Sequence, residues 1–157
     1  MPWRRRLHPV LTPLFRQFWR MSRGLTLGVR GLVTDADGRV LLIQHTYTHG
    51  WHMPGGGVER GETAEEALAR ELVEEAGVEL VGRARLLSLH SNHARFRGDH
   101  VLVYRIESWR PCKATSRGEI HEIGWFDPAA LPEGITEPTR RRIAEALAAD
   151  EAAHPHW

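Results

Sequence analysis

The sequence predicts an α/β protein: a mixed β-sheet with helices on both of its faces. Three observations point there. Short β-rich runs at residues 25–34, 40–43, 81–89, 100–107 and 122–126 are bounded by turn residues. Two stretches, 63–77 and 136–149, repeat small and apolar residues at helical spacing. The chain has 157 residues, enough for one domain with a full core and little more.

Each element has a local reason. Residues 9–22 carry Leu11, Leu14, Phe15, Phe18 and Trp19 at helical spacing with arginines opposite, so an extra N-terminal helix is expected over 1–23. After the first strand, Asp35-Ala36-Asp37-Gly38 is a turn, and Val40 to Ile43 returns antiparallel. Pro54-Gly55-Gly56-Gly57 cannot be regular structure. Thr63 with Glu66 three residues on is a capping box, and Gly77 is placed to end that helix. The polar loop 91–99 joins two strands, a further loop runs through Pro111 and Gly118, and residues 151–157 read as a frayed tail. The main domain is expected over 24–150.

Composition excludes several classes. Hydrophobic residues at 41% and charged residues at 26% are ordinary globular values. The single Cys112 rules out an internal disulfide and a multi-thiolate metal site. No apolar run approaches the roughly 18 residues of a membrane span. The net charge of +1 hides an acid-free start: Arg4, Arg5, Arg6, Arg16, Arg20, Arg23 and Arg30 all precede Asp35. His8, Pro9, Thr12 and Pro13 break any secretory signal, so a cytoplasmic protein is expected.

The capped helix carries the chemistry. On a helical wheel, Leu68, Ala69, Leu72, Val73 and Ala76 form an apolar arc, while Glu71, Glu74 and Glu75 cluster on another. Ala64 and Ala67 share the acidic arc, so nothing bulky shields the carboxylates. Three adjacent carboxylates repel, and hard oxygen-ligated cations such as magnesium or manganese would relieve them. Arg70 stands beside the cluster, within reach of Glu74 one turn on. The three glycines before the helix can bring bare backbone close to a ligand.

Gly56, Glu62 and the run Arg70-Glu71-Leu72-Val73-Glu74-Glu75-Ala76-Gly77-Val78 match the pattern G-x5-E-x7-R-E-U-x-E-E-x-G-U without departure, U being a bulky aliphatic. This stretch, Gly56 to Val78, resembles the signature of the Nudix hydrolase family, and a chance match is on the order of 10⁻¹⁰ per starting position. Trp51-His52-Met53-Pro54 before it and Glu122-Ile123-Gly124-Trp125-Phe126 after it are similar to that family's flanks. The resemblance implies a Nudix-type α/β/α sandwich with a mixed β-sheet. It implies Mg²⁺- or Mn²⁺-dependent hydrolysis of a nucleoside diphosphate linked to another moiety. It also implies Glu71 and Glu75 as metal ligands, Glu74 as a further ligand or the water-activating base, and the Gly56 carbonyl as another ligand. Arg70 and Glu62 become supports, and Glu119 and Glu122 alternative bases.

Arg30, Arg95 and Arg97 are candidate phosphate contacts, and Trp51, Phe96 and Trp125 candidate base-stacking groups. His90 and His93 read as surface loop or strand positions rather than a metal pair. The window His93-Ala94-Arg95-Phe96 lacks the proline and the tyrosine that would mark ADP-ribose and dinucleoside polyphosphate hydrolases of that family. Nucleoside triphosphates, nucleotide sugars and other compounds of a nucleoside diphosphate linked to another moiety stay open. The rival reading is a non-catalytic nucleotide sensor or a nucleic-acid-binding protein, against which the intact glutamate set weighs. For the N-terminal stripe, self-packing or a homodimer is the expected cover, ahead of a membrane surface and of nucleic acid.

Overall fold

A computed structural model describes residues 24–116, 118–148 and 153–157. The helix expected over 1–23 lies outside the described residues. In chain order the elements are β1 (Thr26–Val33), β2 (Val40–His45), β3 (Trp51–His52), α1 (Ala64–Glu71) running into a π-helical turn (Leu72–Ala76), β4 (Val78–Leu80), β5 (Arg85–Ser91), β6 (Asp99–Ile106), β7 (Trp109–Pro111), β8 (Ile120–Phe126) and α2 (Glu137–Leu147).

Sheet pairing is mixed, as expected. β1 runs parallel to β6, and β5 is antiparallel on the far edge of β6. β1's other edge bonds the glycine segment: Val29 N–H to the Gly56 carbonyl at 2.9 Å, Gly31 N–H to Pro54 at 2.8 Å, and Val58 N–H back to Leu27 at 2.8 Å. A second antiparallel sheet has the order β3-β2-β8, and β4 pairs with β7.

Strand alternation divides the core. Val29 and Val33 face α1 with Leu41, Leu68, Leu72 and Ile106. Leu32 faces α2 with Leu42, Met53, Val103 and Ile143. Gly31 lies between its valine neighbours on the α1 side, where an added Cβ would come 3.0 Å from Leu72 Cδ2 and 3.1 Å from Ile106 Cδ1. Its bare backbone lets α1 seat closely. The capping box forms as the sequence implies: Glu66 N–H donates to Thr63 Oγ1, and Thr63 N–H to Glu66 Oε2.

Several expectations need correction. The helix over 63–77 is not uniform, since its last turn widens to π geometry before Gly77 closes it at φ 62°. Its buried face is also rotated: Ala67 is buried with Leu68 and Leu72, while Ala69 and Val73 are half-exposed. The small alanines serve close approach to the protein rather than an open carboxylate face. The segment read as loop near Pro111 forms β7, anchored where Trp109 Nε1–H donates to the Thr34 carbonyl at 2.8 Å and stacks on Trp125. Residues 153–157 are not frayed. Ser91 N–H donates to Pro155 and Trp157 N–H donates to Ser91, both at 2.9 Å, so the tail pairs with the Ser91 end of β5.

Leu72 is fully buried between β1 and β6 residues. Leu72→Ala will lower unfolding free energy by about 2–5 kcal/mol, read as a shifted midpoint in urea denaturation with unchanged slope.

Candidate active site

The site begins with the contact between the glycine loop and β1. Gly55 has φ 137°, and an added Cβ there would collide with the Val29 carbonyl. No L side chain fits that approach. So placed, Gly55 donates its N–H to Glu75 Oε2 at 2.7 Å, across the gap between loop and helix. The Glu71 carboxylate occupies the space that a Cβ on Gly56 would need. Two of the three clustered carboxylates therefore lie directly against the loop.

Glu75 is only 6% exposed. Burial raises its pKa to about 7, the Glu71 and Glu119 charges push it the same way, and the Gly55 N–H and Arg30 oppose them. Glu74 is more open, and its carboxylate lies 3.4 Å from Arg70. Arg70 ties the assembly together. It donates to Glu71 Oε1 at 2.7 Å, to Glu62 Oε1 at 2.9 Å and to the Gly57 carbonyl at 3.2 Å. Glu62 holds the Arg70 pKa above its usual value, with Glu71 second, and Arg70 in turn depresses that of Glu62. Arg70 thus links Glu62 and the Gly57 carbonyl to the helix glutamates.

Arg30 reaches under the loop and donates to the Met53 and Gly55 carbonyls. Burial lowers its pKa, while Glu75 and Glu71 raise it. The Gly56 carbonyl is engaged by the Val29 N–H. Phe96 is 59% exposed at the mouth of a cleft of about 370 Å³, whose walls include Arg30, Tyr47, His52, Gly56 and Gly57. Volumes of that order suit a small-molecule ligand.

Two candidates fall outside this arrangement. Trp51 is buried in the core, edge-on to Phe126 at 4.7 Å between centroids, and offers no free face for a base. Glu122 pairs with Gln44 on β2 and is exposed. Cross-strand partners share a sheet face, and the neighbouring His45 is the residue that turns to Glu75, so Glu122 points away from it. Glu119, whose charge does act on Glu75, is the acid β8 leaves near the site. His90 is likewise no surface residue, being fully buried.

Sequence reasoning missed His45. It sits where a bulge shifts the β2–β8 register, is buried, and directs Nδ1 to within 3.7 Å of Glu75 Oε1. Burial, then Arg30 and His52, lowers its pKa to about 4, so it is neutral near pH 7. Its signal was present: a histidine closing the apolar run Val40–Ile43.

The donors suit a hard divalent cation. They are carboxylate and carbonyl oxygens, and a carboxylate as buried as Glu75 gains from a nearby positive charge. Among the described residues, no three acidic, His or Cys side chains already converge on one point. Arg70 fills the gap between Glu71 and Glu74.

Comparison with known proteins agrees with this geometry. The chain belongs to the NUDIX domain family, which matches residues 24–147. Its members are hydrolases of pyrophosphate bonds, and that is the class of this protein. It is 33% identical over 131 residues to a "MutT-like protein" of Streptomyces ambofaciens, covering 83% of this chain and 80% of the relative. A solved MutT NUDIX hydrolase from Burkholderia pseudomallei superposes with TM-score 0.68 and 28% identity, over 79% of this chain and 99% of that one. An ADP-ribose pyrophosphatase from Streptococcus suis shares the fold at TM-score 0.64 and 19% identity, over 82% and 96% of the two chains. No described helix is long and apolar enough to cross a membrane.

Gly56 has no positive φ, so alanine there avoids left-handed backbone strain, and the nearest atoms its Cβ would displace are those of the Glu71 carboxylate. Gly56→Ala will lower kcat for pyrophosphate hydrolysis by about 10²-fold, while its melting temperature stays close to wild type.

Proposed function

We propose that the protein is a Mg²⁺- or Mn²⁺-dependent diphosphatase acting on small nucleoside diphosphates linked to another moiety, the class that includes nucleoside triphosphates, nucleotide sugars and ADP-ribose-like compounds. The observation that carries this is the pair Glu71 and Glu75, set against the glycine loop whose Gly56 and Gly57 line the cleft. A bound divalent cation neutralises phosphate charge and makes water more acidic.

The chain's own residues supply the rest. Glu71 and Glu75 hold the cation, with Glu74 as a third carboxylate and the Gly56 carbonyl keeping one lone pair beyond its bond to Val29. Arg70 and Glu62 fix the angle between loop and helix. Glu74 or Glu119 takes the proton from water. Arg30, at the cleft wall beneath the loop, meets phosphate oxygens, and Phe96 offers its exposed ring to a base. A pure nucleotide sensor would have no use for all three glutamates beside a supporting arginine.

A panel of such compounds, incubated with magnesium and read as phosphate after phosphatase treatment, tests the reading. Turnover of at least one nucleotide is expected, and excess chelator will abolish it. Full activity in EDTA would sink the metal requirement, and no turnover across the panel would favour the sensor. Glu71→Gln and Glu75→Gln will each lower kcat by about 10²-fold or more at saturating magnesium. Thermal stability of Glu75→Gln will be unchanged or slightly raised, since burial and the neighbouring carboxylates disfavour its charge, whereas Glu71→Gln gives up the charge on its bond from Arg70 and will be slightly lowered.

A further inference from the structure

The α2 face holds a buried charged cluster that the chemistry above does not use. Arg142 is 2% exposed, and His90 beside it is fully buried. Arg142 donates to Glu145 Oε1 at 2.7 Å and to the backbone carbonyls of His154 and His156 at 3.2 and 3.3 Å. His90 Nδ1 lies 2.6 Å from the same His154 carbonyl, and its Nε2 lies 2.7 Å from Ser88 Oγ. Burying an arginine among so few charges is a poor source of stability. What these contacts do is fix the path of residues 153–157 along β5.

That path determines where Trp157 stands. Its N–H is held by the Ser91 carbonyl, its ring lies 5.9 Å from that of His90, and the Arg142 guanidinium is 6.0 Å from its centroid. Trp157 also lines the cleft onto which Arg30, Gly56 and Gly57 open. Asn92 and Asp99 line the same cavity, joined at 2.7 Å through Asn92 Nδ2–H, which leaves Asn92 Oδ1 as an acceptor. Phosphate-binding groups and an apolar indole thus share one cavity.

We propose that residues 153–157, clamped by Arg142, form a specificity wall of the cleft, and that Trp157 is the surface on which the planar base of the substrate packs. The inference rests on the nucleotide reading above and adds a second aromatic face, beside Phe96, that selects for a base. Arg142 is a positioning residue: it acts through the strap and does not touch substrate.

The test compares wild type, Trp157→Ala and Trp157→Phe on the best nucleotide of the panel and on a base-free diphosphate, phosphoribosyl diphosphate. KM and kcat are measured below each variant's melting temperature. Trp157→Ala is expected to raise nucleotide KM about tenfold with kcat within about twofold, and Trp157→Phe to recover most of the loss, because an aromatic face is what a base needs. The KM for the base-free compound should move less than about twofold. Unchanged nucleotide KM in Trp157→Ala, or an equal rise for both compounds, overturns the wall while leaving the diphosphatase reading intact. A wild-type enzyme that turns over only the base-free compound overturns the nucleotide reading and this inference together. If Trp157→Ala does not fold, Trp157→Leu replaces it, keeping apolar bulk without a stacking face, and the same outcomes decide.

Discussion

The hydrogen bond from Gly55 N–H to Glu75 Oε2 ties the site to the fold, because each partner is placed by a different constraint. Gly55 stands where only glycine fits, pressed on the Val29 carbonyl at a φ that side chains avoid. Glu75 is carried inward by the helix that buries Leu68 and Leu72 against β1 and β6. Neither can move alone: lifting the loop would strip the carboxylate of its donor, and lifting the helix would expose the core. Packing on the α1 side and the geometry of the carboxylates are therefore one problem. Gly31, bare beneath Leu72, serves both.

Much of this was legible in the residues, and the parts that were not share a cause. Thr63, Glu66 and Gly77 act through neighbours three to five residues away, so the ends of the helix could be read directly. The buried face of that helix depends on what packs against it. On an ideal wheel Glu75 lies only about 20° from Leu68, so burying the leucine carries the glutamate in as well. Weighing hydrophobicity alone put the two on separate arcs. Trp51 was misread for a related reason: its partner Phe126 is 75 residues on and invisible to local spacing. Glu122 failed on parity. Its pairing with Gln44 sets it on the sheet face opposite the one from which His45 turns to Glu75, and local spacing does not reveal that register.

The tail shows the same limit from the other side. Residues with no periodicity, ending in a tryptophan, read as frayed when judged in isolation. The unpaired edge of β5 gives their backbone a partner, and the buried Arg142 gives their carbonyls donors. Both partners are far away in sequence, and Arg142 on its own reads as one more arginine in an exposed run. Long-range backbone pairing thus made an apparent disordered end into part of the cleft.

Charge explains why the two arginines of the site sit where they do. The side chains gathered at the loop include four carboxylates, Glu62, Glu71, Glu74 and Glu75, and two guanidiniums, Arg30 and Arg70. In their ionised forms the four carboxylates exceed Arg70, the one guanidinium that bonds them, by three charges, and Arg30 acts on Glu75 and Glu71 only as a nearby charge. Arg70 is committed to the helix glutamates and Glu62, so it keeps that deficit from growing but cannot also grip a ligand. Arg30 is different. Its contacts are neutral carbonyls, its guanidinium lines the cleft, and burial makes its charge costly there. An arginine held in that way is stabilised by any anion entering the cleft, and a diphosphate brings more negative charge than the cation alone can offset. The carboxylates at the loop and Arg30 in the cleft wall thus make opposite demands, for a cation and for an anion, which the proposed metal-bound diphosphate would meet together.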